Sequence, residues 1–165
     1  MTYPIIEAML EGEKPKKILE VGCSAGRLFE GYKEKGIEVS GIELFDEYRE
    51  EFTRNQSGKF YLHDAHKVPW PIDEHYDITV TVGFFSILVS DPLPIIKEML
   101  RLADKVILAE WHEQGIGSKT RMATWAEVSS TLFPVRTARD YVYILNKIGR
   151  TPIITQFQDK WIIKV

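Results

Sequence analysis

The sequence predicts an α/β fold: a doubly wound, mostly parallel seven-stranded sheet with helices on both faces and a C-terminal antiparallel hairpin. Short apolar runs alternate with segments of helical periodicity along the chain, which is typical of strand–helix units that build a parallel sheet. Two closing runs, at residues 152–157 and 160–165, are separated by only two residues. That spacing predicts a hairpin, so the sheet gains a strand that runs against the parallel ones.

Five apolar runs predict the parallel strands, and they lie at residues 17–21, 37–44, 59–64, 77–82 and 105–111. The first run ends at Gly22. The fourth is rich in β-branched residues, which favour strands, and it ends at Gly83. Helical spacing follows the first two runs, at residues 27–35 and 46–55, and Gly36 ends the earlier of these helices.

Two later helices have clearer limits. Asp91 is predicted as an N-cap with Pro92 at the first helical position. The apolar residues of that helix are predicted to share one face, formed by Leu93, Ile96, Leu100 and Ala103. A last helix is predicted to end at Gly149, and its apolar face is formed by Tyr141, Ile144, Leu145 and Ile148.

Residues 114–134, between these helices, follow a less regular pattern. Thr124 and Glu127 have the spacing of a capping box, which predicts a short helix. Glycines and apolar residues such as Met122 and Trp125 would suit a mobile flap with an apolar underside. The segment is either a simple connection or a substrate lid, and the sequence leaves both interpretations open.

Composition and charge limit the classes of function. Of 165 residues, 44% are hydrophobic and 27% are charged, as in a globular domain, and we expect one domain over residues 1–165. The formal net charge of −3 argues against a nucleic-acid partner bound through its phosphates. One cysteine, Cys23, favours a reducing compartment. The uncharged stretch at residues 78–90 is well short of the roughly 20 residues of a membrane helix, so we expect a cytoplasmic protein without a membrane segment.

Residues that follow the parallel strands are the candidates for a binding site, because open α/β sheets bind ligands at the carboxyl ends of their strands. Residues 20–26 read Glu-Val-Gly-Cys-Ser-Ala-Gly, and small residues there let a ligand approach a helix N-terminus. Glu43 lies 21 positions after Gly22 (43 − 22), a spacing at which acidic residues bind ribose hydroxyls. With Asp64 and Ala65 at the third strand end, this layout suits a ligand that contains adenosine.

The glycine spacing distinguishes several kinds of ligand. Gly22 and Gly26 are four positions apart with Ser24 between them, which does not match the G-x-G-x-x-G fingerprint of dinucleotide-binding folds, and no Lys-Ser or Lys-Thr pair follows for a P-loop. The same residues also read G-x-S-x-G, the nucleophile elbow of serine hydrolases. That elbow normally follows several strands, whereas here it follows the first, so a hydrolase that uses Ser24 is the weaker alternative.

With these motifs in this order, the chain resembles the class I S-adenosylmethionine-dependent methyltransferases, which have a Rossmann-like fold. The resemblance implies S-adenosylmethionine as cofactor and S-adenosylhomocysteine as product. It places Glu20 near the cofactor's amino group, Glu43 on the ribose and Asp64 on the adenine. The implied cofactor-binding residues are Glu20, Gly22, Cys23, Ser24, Gly26, Glu43, Leu44, Asp64, Ala65, Val82, Gly83 and Phe84.

A sulfonium methyl group is already activated, so catalysis needs mainly alignment of the acceptor, worth about 7–11 kcal/mol. His112, directly after the fifth strand, is the candidate general base because histidine titrates near neutrality. We expect a small-molecule acceptor, while a protein partner that completes the site, or a non-catalytic subunit with this fold, stays an alternative. His63 and His66 lack a third ligand, so no metal site is expected.

Overall fold

The computed structural model of the chain describes residues 3–55, 57–86, 90–111 and 136–165. These residues form one sheet, whose strands are β1 (Lys17–Val21), β2 (Glu38–Glu43), β3 (Phe60–Leu62), β4 (Tyr76–Val82), β5 (Ala103–Trp111), β6 (Ile153–Phe157) and β7 (Lys160–Lys164). The helices are α1 (Pro4–Met9), α2 (Phe29–Glu34), α3 (Arg49–Asn55, after a 3₁₀ turn at Asp46–Tyr48), α4 (Leu93–Leu102) and α5 (Ala138–Asn146).

The described strands form a seven-stranded sheet in the order β3-β2-β1-β4-β5-β7-β6. Strands β1 to β5 are parallel, and β7 is antiparallel to both β5 and β6. This confirms the predicted fold class, including the terminal hairpin. The chain moves outward from β1 to β3 and then crosses to β4 on the other side of β1, which is the kind of switch point where such sheets bind ligands.

Helices cover both faces because successive side chains of a strand point in opposite directions. Ile18 packs in a cluster with Ile6 of α1 and Tyr32 of α2. The next residue, Leu19, packs on the opposite face in a cluster that includes Met99 of α4. Each of these side chains is buried, so the parallel strands are held between two apolar layers.

The predicted α4 differs from the observed helix in two ways. Ala103 belongs to β5, because the chain passes from helix to strand without a loop, so the prediction that it lies on the helix face is wrong. The buried face contains Ile95, Ile96 and Met99, so the prediction is right for Ile96, whereas Leu93 and Leu100 are half-buried at its sides. The predicted N-cap is displaced by one residue: the helix begins at Leu93 with Pro92 as its N-cap, although the Leu93 N–H still donates to the Asp91 carboxylate at 3.0 Å.

The prediction for α5 is confirmed at its C-terminus, where Gly149 has a φ of +69°. Its start is a capping box that the sequence reading missed: Thr137 and Asp140 each accept a hydrogen bond from the other's backbone N–H. The expectations for His112, for the helix at Thr124 and for a lid at 114–134 lie outside the described residues. None of the described helices has the length and apolar character needed to cross a membrane.

Candidate functional site

The candidate site lies at the edge of the sheet where β1, β2, β4 and β5 end. The first part is the turn between β1 and α2, in which Gly22, Ser24 and Gly26 have φ values of +72°, +50° and +76°. Glycine adopts such values without strain. The N–H groups of Gly22 and Cys23 both donate to the Ile42 carbonyl, at 2.9 and 3.2 Å, so this turn is attached to the neighbouring strand β2.

Two aromatic rings explain why this turn requires glycine. A Cβ atom on Gly26 would overlap the ring of Phe29, the first residue of α2. A Cβ atom on Gly22 would lie 2.5 Å from Cδ2 of Phe84, which follows β4. The turn after β1 and the turn after β4 are therefore in contact, and this contact brings together three residues predicted for the cofactor site: Gly22, Gly26 and Phe84.

The thiol of Cys23 lies away from this edge. It is buried in a cluster with Phe29 and Phe52, and burial raises its pKa above the ordinary value. A thiol with a raised pKa is a poor nucleophile at neutral pH. Only the backbone of Cys23 belongs to the turn, which limits its predicted role to a backbone contact.

Glu43, the last residue of β2, holds the next part of the site in place. One carboxylate oxygen accepts from the Ser24 N–H at 2.9 Å, and the other accepts from the N–H groups of Leu44 and Phe45 at 2.7 and 3.2 Å. These bonds tie the turn after β1 to the end of β2. A carboxylate oxygen has about two lone-pair positions, so the oxygen that faces Ser24 can accept a further hydrogen bond.

Glu20 is buried, with 5% of its surface exposed, and its Oε2 atom has no hydrogen-bond partner among the described residues. Burial raises the pKa of this carboxyl to about 8, against the opposing effect of Arg27. The hydroxyl of Tyr32 is likewise buried without a described partner. A buried polar atom without a partner is costly, and Glu20 therefore fits a ligand that supplies a cationic N–H donor beside the glycine turn.

Asp64 lies in a turn beyond β3, which ends at Leu62. Its Oδ1 accepts from the backbone N–H of His66 at 3.0 Å and lies 2.9 Å from Nδ1 of the same histidine, and these bonds lower the pKa of the carboxyl. The neighbouring Ala65 is buried, and its carbonyl accepts from the indole of Trp70 at 3.0 Å. The turn that carries both predicted residues is thus firmly attached to the domain.

Exposed apolar side chains lie beside these carboxylates. Leu44, Phe45 and Leu62 are 54%, 55% and 45% exposed, and Leu62 is paired with Glu43 in the β2–β3 register. Large apolar residues with this exposure often mark a binding surface when they adjoin one another. Of the three, only Leu44 was predicted as a cofactor-binding residue. The signal that could have identified Phe45 and Leu62 is their position at the ends of neighbouring strands.

The end of β4 forms the opposite side of the site. The Gly83 N–H donates to the Ala109 carbonyl at 2.8 Å, and the indole Nε1 of Trp111 would lie 2.8 Å from a Cβ atom on Gly83. The ammonium of Lys160, at the start of β7, lies 2.9 Å from the centre of the Trp111 ring. Burial lowers the pKa of Lys160, and the nearby Asp159 partly offsets this effect. Val82, in contrast, packs partly buried in the core.

Sequence reasoning missed Glu110, a fully buried carboxyl in β5. It accepts hydrogen bonds from Thr81 in β4 and from Ser86 in the turn after β4. Burial raises its pKa, and these hydrogen bonds oppose the rise. The signal in the sequence is an acidic residue directly after the apolar run at residues 106–109.

The described residues do not support the hydrolase alternative, because no described histidine is hydrogen-bonded to Ser24. In the same ranges, no group of three or more His, Cys, Asp or Glu side chains could hold a metal ion. His112, the candidate base, lies outside the described residues.

Residues 19–105, more than half of the chain, match the family model of the methyltransferase domain. The chain belongs to the methyltransferase domain family. The matched region begins next to Glu20 and includes the turn after β1, Glu43, Asp64 and the end of β4. The class predicted from the sequence, an S-adenosylmethionine-dependent methyltransferase, is therefore confirmed. No curated protein gives a sequence match to this methyltransferase.

Solved structures similar to this methyltransferase confirm its fold. Magnesium protoporphyrin IX methyltransferase from Synechocystis, which holds S-adenosylhomocysteine, has a TM-score of 0.67 at 16% identity over 97% of this chain and 78% of its own. An S-adenosylmethionine-dependent methyltransferase from Methanosarcina mazei has a TM-score of 0.66 at 17% identity over 99% of this chain and 96% of its own.

A third similar structure is the partner of a methyltransferase activator in a complex from Haloferax volcanii. Its TM-score is 0.65 at 17% identity, and the match covers 86% of this chain and 63% of that one.

Proposed function

We propose that this methyltransferase binds S-adenosylmethionine along the edge formed by β1, β2 and β4 and transfers its methyl group to a small-molecule acceptor. The observation that carries the proposal is Glu20, whose buried Oε2 has no described partner at the base of a glycine turn. An α-ammonium group would supply the missing donor and the positive charge that favours an ionised carboxyl. Similar structures that hold S-adenosylmethionine or S-adenosylhomocysteine support the same cofactor.

The remaining predicted residues fit the other parts of this cofactor. The free lone pair of Glu43 suits a ribose hydroxyl, since each hydroxyl can donate one hydrogen bond. The exposed side chains of Leu44, Phe45 and Leu62 offer an apolar surface for the adenine ring. Asp64 offers a second oxygen, Oδ2, which lies 3.8 Å from Nζ of Lys67. These features follow one another from β1 to β3, in the order expected for an extended nucleoside ligand.

S-adenosylmethionine, when bound, supplies an electrophilic methyl group on a positively charged sulfur. The chain has to align an acceptor with that group and exclude water, and Gly83 and Phe84 are the residues proposed for the floor beneath it. Trp111 and Lys160 form a wall on the β5 side, with a flat apolar ring and a cation. His112, which directly follows Trp111 in the sequence, stays the proposed base for an acceptor that must lose a proton.

A small-molecule acceptor agrees best with the acceptor-side residues. The wall formed by Trp111 and Lys160 suits a flat molecule with a polar or anionic substituent. The similar Synechocystis enzyme acts on magnesium protoporphyrin IX, which is one example of an acceptor of this size. A protein partner that completes the site stays a prediction, as does a cytoplasmic location.

Calorimetric titration with S-adenosylmethionine, S-adenosylhomocysteine and NAD tests the proposal. We expect binding of the first two and none of NAD. Glu43→Ala should weaken binding by about 1–3 kcal/mol, the cost of leaving hydrogen-bonded groups unpaired. Glu50→Ala, which removes an exposed carboxylate of α3, is the control and should leave binding unchanged. A preference for NAD would contradict the proposal, and a stable protein partner without cofactor binding would indicate a non-catalytic subunit.

A further inference from the structure

Glu110 has an arrangement of hydrogen bonds that cofactor binding does not explain. Its Oε1 accepts from the Thr81 hydroxyl at 2.7 Å, and its Oε2 accepts from both the backbone N–H and the hydroxyl of Ser86, each at 2.8 Å. The carboxyl is fully buried and cannot touch a ligand. Burying such a group is costly unless its hydrogen bonds are satisfied, so its effect must come through the two residues that it holds.

These two residues belong to different parts of the structure. Thr81 lies within β4, which is already held by backbone pairing with β1 and β5. Ser86 lies after the strand, in the turn at residues 83–86 that includes Gly83 and Phe84. The bond to Thr81 therefore joins two strands that are joined in any case, whereas the bonds to Ser86 attach the turn to the sheet.

The same turn is held from two further directions. The Ser86 hydroxyl, which donates to Glu110, also accepts from the backbone N–H of Trp111 at 2.9 Å. The guanidinium of Arg136 donates to the Phe85 carbonyl at 2.8 Å, and the Phe85 ring is fully buried. Ser86 thus attaches the turn to two residues of β5, Glu110 and Trp111.

We propose that Glu110 and Ser86 are positioning residues for methyl transfer, which fix the turn at residues 83–86 so that Gly83 and Phe84 form the floor beneath the transferred methyl group. This inference rests on the proposed function. Neither residue contacts the cofactor or the acceptor; both act through the turn. A floor fixed in this way distinguishes a ligand that carries the methyl group from one that lacks it.

The test compares two ligands and two matched variants. S-adenosylmethionine and S-adenosylhomocysteine differ by one methyl group and its charge, so the ratio of their dissociation constants reports on the floor without any acceptor. Ser86→Ala and Thr81→Val each remove one hydroxyl from the same carboxylate. We expect Ser86→Ala to change the ratio by about 3- to 10-fold, the equivalent of one hydrogen bond. Thr81→Val should leave it within about twofold of wild type while lowering the melting temperature similarly.

Two additional variants keep the test decisive. Glu110→Val removes the acceptor itself and should change the ratio in the same direction as Ser86→Ala. If either protein does not fold, Ser86→Cys, whose thiol is a weaker donor, should give the same direction with a smaller effect. Equal ratios in Ser86→Ala and wild type, or equal changes in Ser86→Ala and Thr81→Val, would overturn the inference and leave the proposed function standing. Failure of the wild type to bind either ligand would overturn both.

Discussion

Replacing Glu20 with glutamine should stabilise the protein without cofactor at neutral pH and weaken the binding of S-adenosylmethionine. Burial raises the pKa of Glu20 from 4.5 to about 8, so the folded protein binds this proton more tightly than the unfolded chain does. At pH values between 4.5 and about 8 the unfolded chain has lost this proton while the folded protein keeps it. The free energy of unfolding therefore falls as the pH rises through this range. Titratable neighbours that interact with Glu20 are Arg27, Cys23 and Tyr32.

The size of the destabilisation by Glu20 follows from the difference between pH 7 and the pKa of Glu20 in the unfolded chain. At about 1.4 kcal/mol for each pH unit, Glu20 costs roughly 3 kcal/mol at pH 7, and nothing below its unfolded pKa. Glutamine has the same shape without the charge, but its buried amide lacks partners, at a cost of about 1–2 kcal/mol. At pH 8 the cost of Glu20 has risen to about 4 kcal/mol. We therefore expect Glu20→Gln to be about 2–3 kcal/mol more stable than wild type near pH 8, and less stable than wild type near pH 4.5.

Denaturant unfolding at pH 4.5 and pH 8 without cofactor measures this difference. Glu43→Gln is the matched control, because the Glu43 carboxylate accepts three backbone N–H bonds and its replacement should destabilise the protein at both pH values. A stability difference between Glu20→Gln and wild type that does not change with pH would refute the reasoning, since it would mean that Glu20 is not a buried carboxyl with a raised pKa.

Three further substitutions probe other parts of the site. Gly26→Ala should destabilise the protein by about 1–3 kcal/mol in thermal unfolding, because the new methyl group displaces Phe29; full stability would contradict the observed packing. Phe45→Ala should weaken S-adenosylmethionine binding by about 1–2 kcal/mol in calorimetry, as expected for lost apolar contact, whereas Ile153→Ala, at an even more exposed apolar residue, should have no effect. Once an acceptor is found, Lys160→Met should raise its KM several-fold and leave cofactor affinity unchanged; a loss of cofactor affinity would place Lys160 elsewhere.

Most of the fold could be predicted because local signals and tertiary packing agree. The β-branched run at 77–82 and the two-residue connection before Lys160 leave few alternatives to a strand and a hairpin. The buried face of α4 was harder to predict, since the helix carries apolar residues on more than one side. Glu98 lies on its buried side, where Arg101 and the backbone N–H of Trp70 satisfy its carboxylate, and Trp70 is distant in sequence.

The candidate site was predictable where its residues lie at or just after the ends of successive strands, as Gly22, Glu43 and Asp64 do. Glu110 could not be predicted as part of the site, because its role depends on a hydrogen bond with Ser86, 24 positions earlier in the chain. Nor does the sequence reveal which polar atoms lack partners. The oxygen of Glu20 that lacks a described partner can be identified only from the three-dimensional packing around β1.

The most direct measurement is the number of protons released when S-adenosylmethionine binds, obtained by calorimetry at pH 6.5 in buffers of different ionisation enthalpy. A carboxyl with a pKa of about 8 is almost fully protonated at that pH, and it must ionise to pair with the ligand's ammonium group. The account predicts the release of roughly one proton per bound cofactor by the wild type and none by Glu20→Gln. Binding with identical proton release in the two proteins would contradict it.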